Sequence, residues 1–250
     1  MPEPSNRVQR EAVAKGVDLD RLPVHIAIIM DGNGRFAQKR GFMRLWGHHQ
    51  GYKTLKKVLL DAAELGVQYM TVYGFSAENW RRPEDEVGGL MKLIEEASRR
   101  ELADLVKNNV RCRVIGRRDE LPESLQDAIR QMETQTEANT GIGFTLAINY
   151  GGRAEIVDAV KHLIGEGVSA SEVSEELVSR ALYAPELPDP DLIVRTAGEL
   201  RVSNFLIWQA AYAELHVTSA CWPEFGLEEL IAAVLQYQSR TRKFGGLVQA

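Results

Sequence analysis

Apolar residues fall along this chain in two kinds of run. Short, nearly continuous apolar stretches predict β-strands at Val24–Met30, Val67–Phe75, Val110–Ile115, Phe144–Asn149, Asp191–Arg195 and Leu215–Thr218. Strands covered on both faces need this uninterrupted pattern. Between them apolar positions recur at helical spacing, as with Leu55, Val58, Leu59 and Ala62 in the stretch His49–Glu64. The same reasoning predicts helices over Glu84–Lys107, Pro122–Glu137, Gly152–Leu163, Ser171–Tyr183, Ser203–Tyr212 and Leu227–Arg242. Residues 1–22 read as a weakly helical or frayed N-terminal arm, with Met1 to Asn6 disordered. Strand–helix alternation over 23–250 predicts one α/β domain with a largely parallel sheet.

Composition narrows the function classes. The 250 residues carry a net charge of −5, so a surface that coats nucleic acid is not expected. Yet between Asp31 and Lys57 the one acid, Asp31, faces Arg35, Lys39, Arg40, Arg44, Lys53, Lys56 and Lys57. One basic segment in an acidic chain points to a small anionic ligand. The cluster Lys53, Lys56 and Lys57 by itself reads as a solvated helix face. Cys112 and Cys221 show no metal-binding spacing and read as reduced thiols of a cytoplasmic protein. No signal peptide and no spanning segment is predicted, although substrate or product could still bring the chain to a membrane surface.

Three polar clusters follow predicted strands, where open α/β sheets bind ligands. The first is Asp31-Gly32-Asn33-Gly34-Arg35. Its glycines would let backbone N–H groups turn toward a phosphate, and Asp31 is the hard oxygen donor that Mg²⁺ takes beside substrate phosphates. Alone, the loop reads equally well as a helix cap and bend. It is neither a Walker A loop nor GxGxxG. Arg44 and His48 add two phosphate-contacting groups. The second cluster, Ser76 to Pro83, sets Ser76, Glu78, Asn79, Trp80, Arg81 and Arg82 in one short loop, a density a plain connection does not need. The third, Arg195 to Leu206, offers Arg195, Arg201 and Ser203, with Ser203 also readable as a helix cap. Glu214, in an apolar stretch, is a candidate second acid near a metal.

Together these segments resemble the cis-prenyltransferase family, in particular its bacterial undecaprenyl-type members. The motifs are HIAIIMDGNGRFA, RLWGHHQG, YGFSAENWRRP, INYGGR, DLIVRTAGELRVSNFLIWQ and YAELHVT followed by CWPEF, and the likeness runs from about Val24 to Gly246. The resemblance implies a single α/β domain with a six-stranded, mainly parallel sheet flanked by helices, working as a homodimer. It implies repeated condensation of isopentenyl diphosphate onto an allylic diphosphate, typically farnesyl diphosphate, with Mg²⁺. By the same likeness Asp31 is the metal ligand, with Glu214 as the second carboxylate. The allylic diphosphate falls to Gly32, Asn33, Gly34, Arg35, Arg44 and His48, with Phe36 beside them in a slot where Trp is usual. The closing loop is Ser76 to Pro83: Asn79 and Arg82 take catalytic places, and Ser76, Glu78 and Trp80 contact substrate. Isopentenyl diphosphate falls to Arg195, Arg201 and Ser203.

Other departures are Leu200, in a slot that holds His in some relatives, and Lys243-Phe244-Gly245, where the family has Arg-x-Gly reaching into the partner subunit. Glu95 and Glu96 flank the apolar stripe of the long helix; facing a channel, they would favour a product shorter than undecaprenyl. The alternatives are a shorter-chain synthase and a non-catalytic scaffold subunit of a two-component synthase.

Overall fold

The computed structural model describes residues 3–240. Its sheet holds six strands in the order β3-β4-β2-β1-β5-β6. They are β1 (His25–Ile29), β2 (Tyr69–Ser76), β3 (Arg111–Ile115), β4 (Gly143–Tyr150), β5 (Leu192–Arg195) and β6 (Glu214–Val217). Every pairing is parallel, so the expected mainly parallel sheet is wholly so.

The pleat sends successive side chains to opposite faces, and both faces are covered. From β1, Ile26 and Ile28 enter the larger core cluster with Val58, Leu90, Ile129 and Leu230. Ala27 and Ile29 enter the smaller one with Tyr150, Ile193, Phe205 and Leu206. The larger layer is built by α1 (Arg7–Ala14), α3 (Arg44–Leu65), α4 (Glu84–Arg100), α5 (Leu102–Lys107), α6 (Glu123–Thr136) and α9 (Leu227–Ser239). The short α2 (Asn33–Gln38) precedes α3, while α7 (Gly152–Gly165) and α8 (Glu175–Arg180) follow β4.

β1 lies between β2 and β5, so the chain leaves β1 toward one edge of the sheet and leaves β5 toward the other. The crevice between the carboxyl ends of β1 and β5 is therefore the switch point at which such sheets bind ligands. Asp31 follows β1 there, and Arg195 closes β5.

Five elements differ from expectation, among them α8, which spans Glu175–Arg180 rather than Ser171–Tyr183. Of the two readings of the arm, weakly helical or frayed, the first holds over Arg7–Ala14, more firmly than expected: Asn6 accepts a hydrogen bond from the Gln9 N–H, and Val8 and Ala12 are fully buried. The predicted long helix breaks at Glu101, which ends α4 and begins α5. α3 starts at Arg44, a turn earlier than its apolar pattern begins. Ser203–Tyr212 forms no helix. Ser203, Asn204 and Leu206 have positive φ there, and the Ser203 hydroxyl and Asn204 carbonyl accept from Arg195 and Gly152 of other segments. Lys243-Phe244-Gly245 lies outside the described residues.

Candidate active site

The first loop is held by close approach. Gly32 has φ +95°, and a Cβ on it would lie 2.9 Å from the Ala197 side chain and 3.0 Å from Cys221. α2 begins immediately after it and rests on α3 at Gly47 and Gly51. A Cβ on Gly47 would sit 2.0 Å from the Asn33 carbonyl oxygen. Only glycine lets these two helices meet here, and that contact aims the first loop.

Asp31 accepts from the Gly32 N–H at 2.6 Å and from Arg195 Nη2 at 2.9 Å. Arg35 stands 3.4 Å from its other edge. Burial by itself would raise the Asp31 carboxyl, but the Arg195 and Gly32 bonds outweigh it and hold the group below the ordinary carboxylate range. Arg195 also donates to Ser203 Oγ at 2.7 Å and to the Arg201 carbonyl at 2.6 Å. Thr196 fixes the Asp31 carbonyl from the same strand end. The first and third clusters are thus one hydrogen-bonded unit. Glu199 extends it by pairing with both Arg35 and Arg201.

The second cluster meets the basic segment on a carboxylate that sequence reasoning passed over. Glu86, in the first turn of α4, accepts from Arg44 Nε at 3.0 Å and from Arg82 Nη1 at 2.9 Å. Burial pushes the Glu86 carboxyl up, and Arg44 and Arg82 bring it below its ordinary value. His48 Nε2 lies 3.7 Å from it, beyond hydrogen-bond reach. Burial and the Arg82 charge, opposed in part by Glu86, push the His48 imidazole down to about 4. Its neutral form therefore prevails at pH 7. Glu86 was readable only as one of three acids that suit a helix N-terminus, Glu84, Asp85 and Glu86.

A cavity of about 670 Å³ opens from these groups. Asp31, His48, Asn79, Arg82, Arg195 and Ser203 line one end. Leu55, Leu59, Leu90, Ile94, Leu105 and Phe144 line its length between α3, α4 and the sheet. Asn33 Oδ1, His48 Nε2 and Arg195 Nε are buried at the polar end with no hydrogen-bond partner among the described residues. Such orphans are rare in native structures and mark where a polar ligand belongs.

The chain matches the model of a prenyltransferase family described as putative undecaprenyl diphosphate synthase over residues 29–245. It belongs to this family. Among curated relatives, the isoprenyl transferase of Fusobacterium nucleatum subsp. nucleatum is 50% identical over 226 residues, covering 90% of this chain and 97% of the relative. That of Clostridium perfringens is 47% identical over 232 residues, covering 91% and 92%. Among solved structures, lavandulyl diphosphate synthase from Lavandula x intermedia, in complex with dimethylallyl diphosphate, superposes with a TM-score of 0.87 at 35% identity. It covers 90% of this chain and 99% of that one. A probable undecaprenyl diphosphate synthase from Campylobacter jejuni gives 0.75 at 32%, covering 89% and 98%. The chain is thus a prenyltransferase enzyme of isoprenoid biosynthesis.

Not every expected site residue of this prenyltransferase reaches the cavity. Phe36 stacks on Trp46 at 5.7 Å, beneath the Arg40 guanidinium. Trp80 packs edge-on against Phe75, lines a second groove and donates its indole N–H to Asn149. Arg201 is exposed. Glu214 begins β6 and pairs with Arg240, whereas Val217, three residues on, is the register partner of Arg195. That offset is roughly 10 Å at strand rise, so within one subunit Glu214 is not beside Asp31. Glu95 and Glu96 turn away from the cavity toward Arg99 and Lys92, which removes the argument they carried for a short product.

Proposed function

We propose that this enzyme extends an allylic diphosphate, with farnesyl diphosphate as the first choice, by repeated cis addition of isopentenyl diphosphate. The product would be a medium-to-long polyprenyl diphosphate such as undecaprenyl diphosphate. The carrying observation is the cavity itself: anion-binding groups converge at one end, and an apolar passage leads away between α3 and α4. A ligand with a charged head and a hydrocarbon tail fits that division.

In this reading the allylic diphosphate sits on the first loop with Arg35, Arg44 and His48. Isopentenyl diphosphate sits on Arg195, Arg201 and Ser203, with the 76–83 loop above the reacting carbons. Held head to tail, the two substrates lose most of the entropic barrier to reaction before the chemical step. The arginines stabilise the leaving diphosphate more as its charge grows, and so favour the transition state over the ground state. Asn79 is not basic, so the departing proton is left to a diphosphate oxygen. Asp31 is partly open to the cavity and suits Mg²⁺, which prefers one or two carboxylates and completes its shell with substrate oxygens. Among the described residues no group of three acids, histidines or cysteines forms an all-protein cage. Mg²⁺, when bound, would neutralise charge on the leaving group.

Two further expectations belong to this reading. Homodimer formation is supported by α7, which exposes Val157, Val160 and Ile164 about one helical turn apart. A cytoplasmic setting is supported by Cys112 and Cys221, both free and buried. Among the described residues no helix is long and apolar enough to cross a membrane.

Incubating the pure protein with farnesyl diphosphate, isopentenyl diphosphate and Mg²⁺, then sizing products by mass spectrometry, tests the proposal. A ladder of extended diphosphates is expected, and Asp31→Ala should abolish it while leaving the circular dichroism spectrum unchanged. No extension with any allylic primer would refute the reading.

A further inference from the structure

The INYGGR segment stands in the sequence without a role in the chemistry above. In the structure it works together with a residue from a distant loop. Asn149, 2% exposed with φ +48°, accepts the Trp80 indole N–H at 2.8 Å through its side-chain oxygen. Its amide nitrogen is anchored on the Arg117 carbonyl and on Glu120. Asn204, with φ +63°, donates through its amide to Glu78 Oε1 at 2.8 Å. Its other two acceptors are taken by α7: its backbone carbonyl by the Gly152 N–H at 2.7 Å, its side-chain oxygen by the Arg153 N–H at 2.9 Å. A Cβ on Gly151 would lie 2.6 Å from the Asn204 amide nitrogen, which accounts for the first glycine of the motif.

The 77–81 turn is therefore suspended from two asparagines, one holding Glu78 and one holding Trp80. Asn79, the residue between them, lines the cavity and accepts from the Ser76 N–H. Both asparagines occupy the left-handed region, which costs a non-glycine residue free energy and persists only where the surroundings impose it. Asn204 also directly follows Ser203, which takes the Arg195 bond. It thus ties the 76–83 loop to the Arg195 unit.

We infer that Asn204 and Asn149 are positioning residues of the transfer reaction. They fix the height and orientation of the 77–81 turn over the cavity, so that Asn79 and Arg82 meet the substrates without first paying the cost of ordering the loop. The inference rests on the activity proposed above. It concerns what holds the loop rather than what the loop touches.

Asn204→Asp separates this role from a structural one. The substitution keeps an oxygen for the Arg153 N–H, and so keeps α7 capped, but sets a carboxylate against Glu78. Backbone amide exchange over residues 76–82 of the substrate-free protein should accelerate about tenfold, the loss expected for one charge-assisted hydrogen bond. With farnesyl and isopentenyl diphosphates, kcat should fall by a similar factor while KM for the allylic substrate stays within about twofold. In a Glu78→Gln background the pair regains a donor and an acceptor with their roles exchanged, so adding Asn204→Asp should cost little there. Trp80→Phe, a change at a half-exposed ring, cuts the Asn149 bond without risk to the core and should raise exchange over the same residues. Unchanged exchange in both variants would overturn the inference. So would faster exchange with unaltered kcat, or an equal cost of Asn204→Asp in both backgrounds. A parent protein without turnover would count against the proposed activity instead, and the exchange measurement would still read the two asparagine contacts.

Discussion

Arg195, at the end of β5, donates through Nη2 to Asp31 Oδ2, at the end of β1, across 2.9 Å, with only 4% of its side chain exposed. The pair joins the two strand ends that border the switch-point crevice. Replacing Arg195 with Met would leave Asp31 Oδ2 without its guanidinium, with only Arg35 and the Gly32 N–H on the other oxygen, and would strand the Arg201 carbonyl and Ser203 hydroxyl. The expected loss of stability is about 3 kcal/mol, the low end for a broken buried pair because Asp31 is partly open to solvent. Since the Asp31 carboxyl lies below its ordinary value, its stabilising share is full above an unfolded pKa of about 3.9 and is lost as pH falls through the lower folded value. Urea unfolding at pH 7 and in acid should show the parent and Arg195→Met converging as pH drops. A difference that does not depend on pH would contradict the pairing.

His48 sets a second pH dependence, in a different window. Its folded value of about 4 lies under the ordinary 6.5, so the unfolded chain takes up the proton first. Stability is complete above pH 6.5, declines as pH falls from there, and has lost this share below about 4. The total is at most about 3 kcal/mol from the size of the shift. His25 acts in the same direction. Burial lowers its imidazole, which hydrogen-bonds the Pro188 carbonyl and Thr71. Inorganic pyrophosphate should raise the His48 value, because an adjacent anion favours the imidazolium. Imidazole NMR resonances followed from pH 8 to 4, with and without pyrophosphate, check both points; a His48 that titrates near 6.5 in the free protein would refute them.

The strands were legible because continuous apolar runs have few other homes, and each predicted strand is present to within a residue or two. The three polar clusters were legible as well, since each follows a strand and parallel strands deliver such loops to one edge. What the pattern hid was decided by tertiary partners. Ser203–Tyr212 has a helical spacing, yet its Ser203 hydroxyl accepts from Arg195 and its Asn204 carbonyl from Gly152. Those bonds hold the chain out of helical geometry. Glu86 looked like one helix-start acid among three, and nothing in its neighbours in sequence announced two arginines arriving from elsewhere. Glu214 sits in a matching motif, but its distance from Asp31 depends on strand register, which sequence does not display. Lys56 read as part of a solvated face and is indeed half-exposed, but it also ties α3 to α5 through Asp104.

The contact of α2 with α3 should be intolerant of a single methyl. In Gly47→Ala the new Cβ would meet the Asn33 carbonyl at 2.0 Å, a backbone atom that cannot swing aside. Overpacking of this kind costs about 1–3 kcal/mol, and relief requires α2 to move with the first loop. Denaturant unfolding should register the loss, and calorimetry should show weaker pyrophosphate binding than in the parent. Gly165→Ala is the control, since a Cβ there meets nothing within 4 Å. Equal behaviour of the two variants would show that the loop does not depend on this contact.

The far end of the cavity is polar. Tyr52 and Lys56, one turn apart on α3, both hold Glu101 at the break between α4 and α5, and Lys56 also donates to Asp104 at 2.6 Å. Burial would raise the Glu101 carboxyl, but Lys56 and Tyr52 bring it below its ordinary range. From His48 to Lys56 the passage follows α3 for eight residues, roughly 12 Å at helical rise. A hydrocarbon that grows this far meets a hydrogen-bonded charge cluster in place of apolar wall. Advancing further would bring the tail against charges that at Lys56 and Asp104 already meet solvent, so added length would gain no apolar burial. The cluster should therefore disfavour growth past Glu101 and shift the product distribution to shorter chains than a wholly apolar passage would give. Joint replacement of Lys56 by Met and Glu101 by Leu removes the central pair, and the half-exposed Asp104 keeps water in place of Lys56. Mass spectra of products made with farnesyl and isopentenyl diphosphates should then shift to longer chains, with the first condensation unchanged in rate. An identical length distribution would mean that growth ends before the tail reaches this clasp.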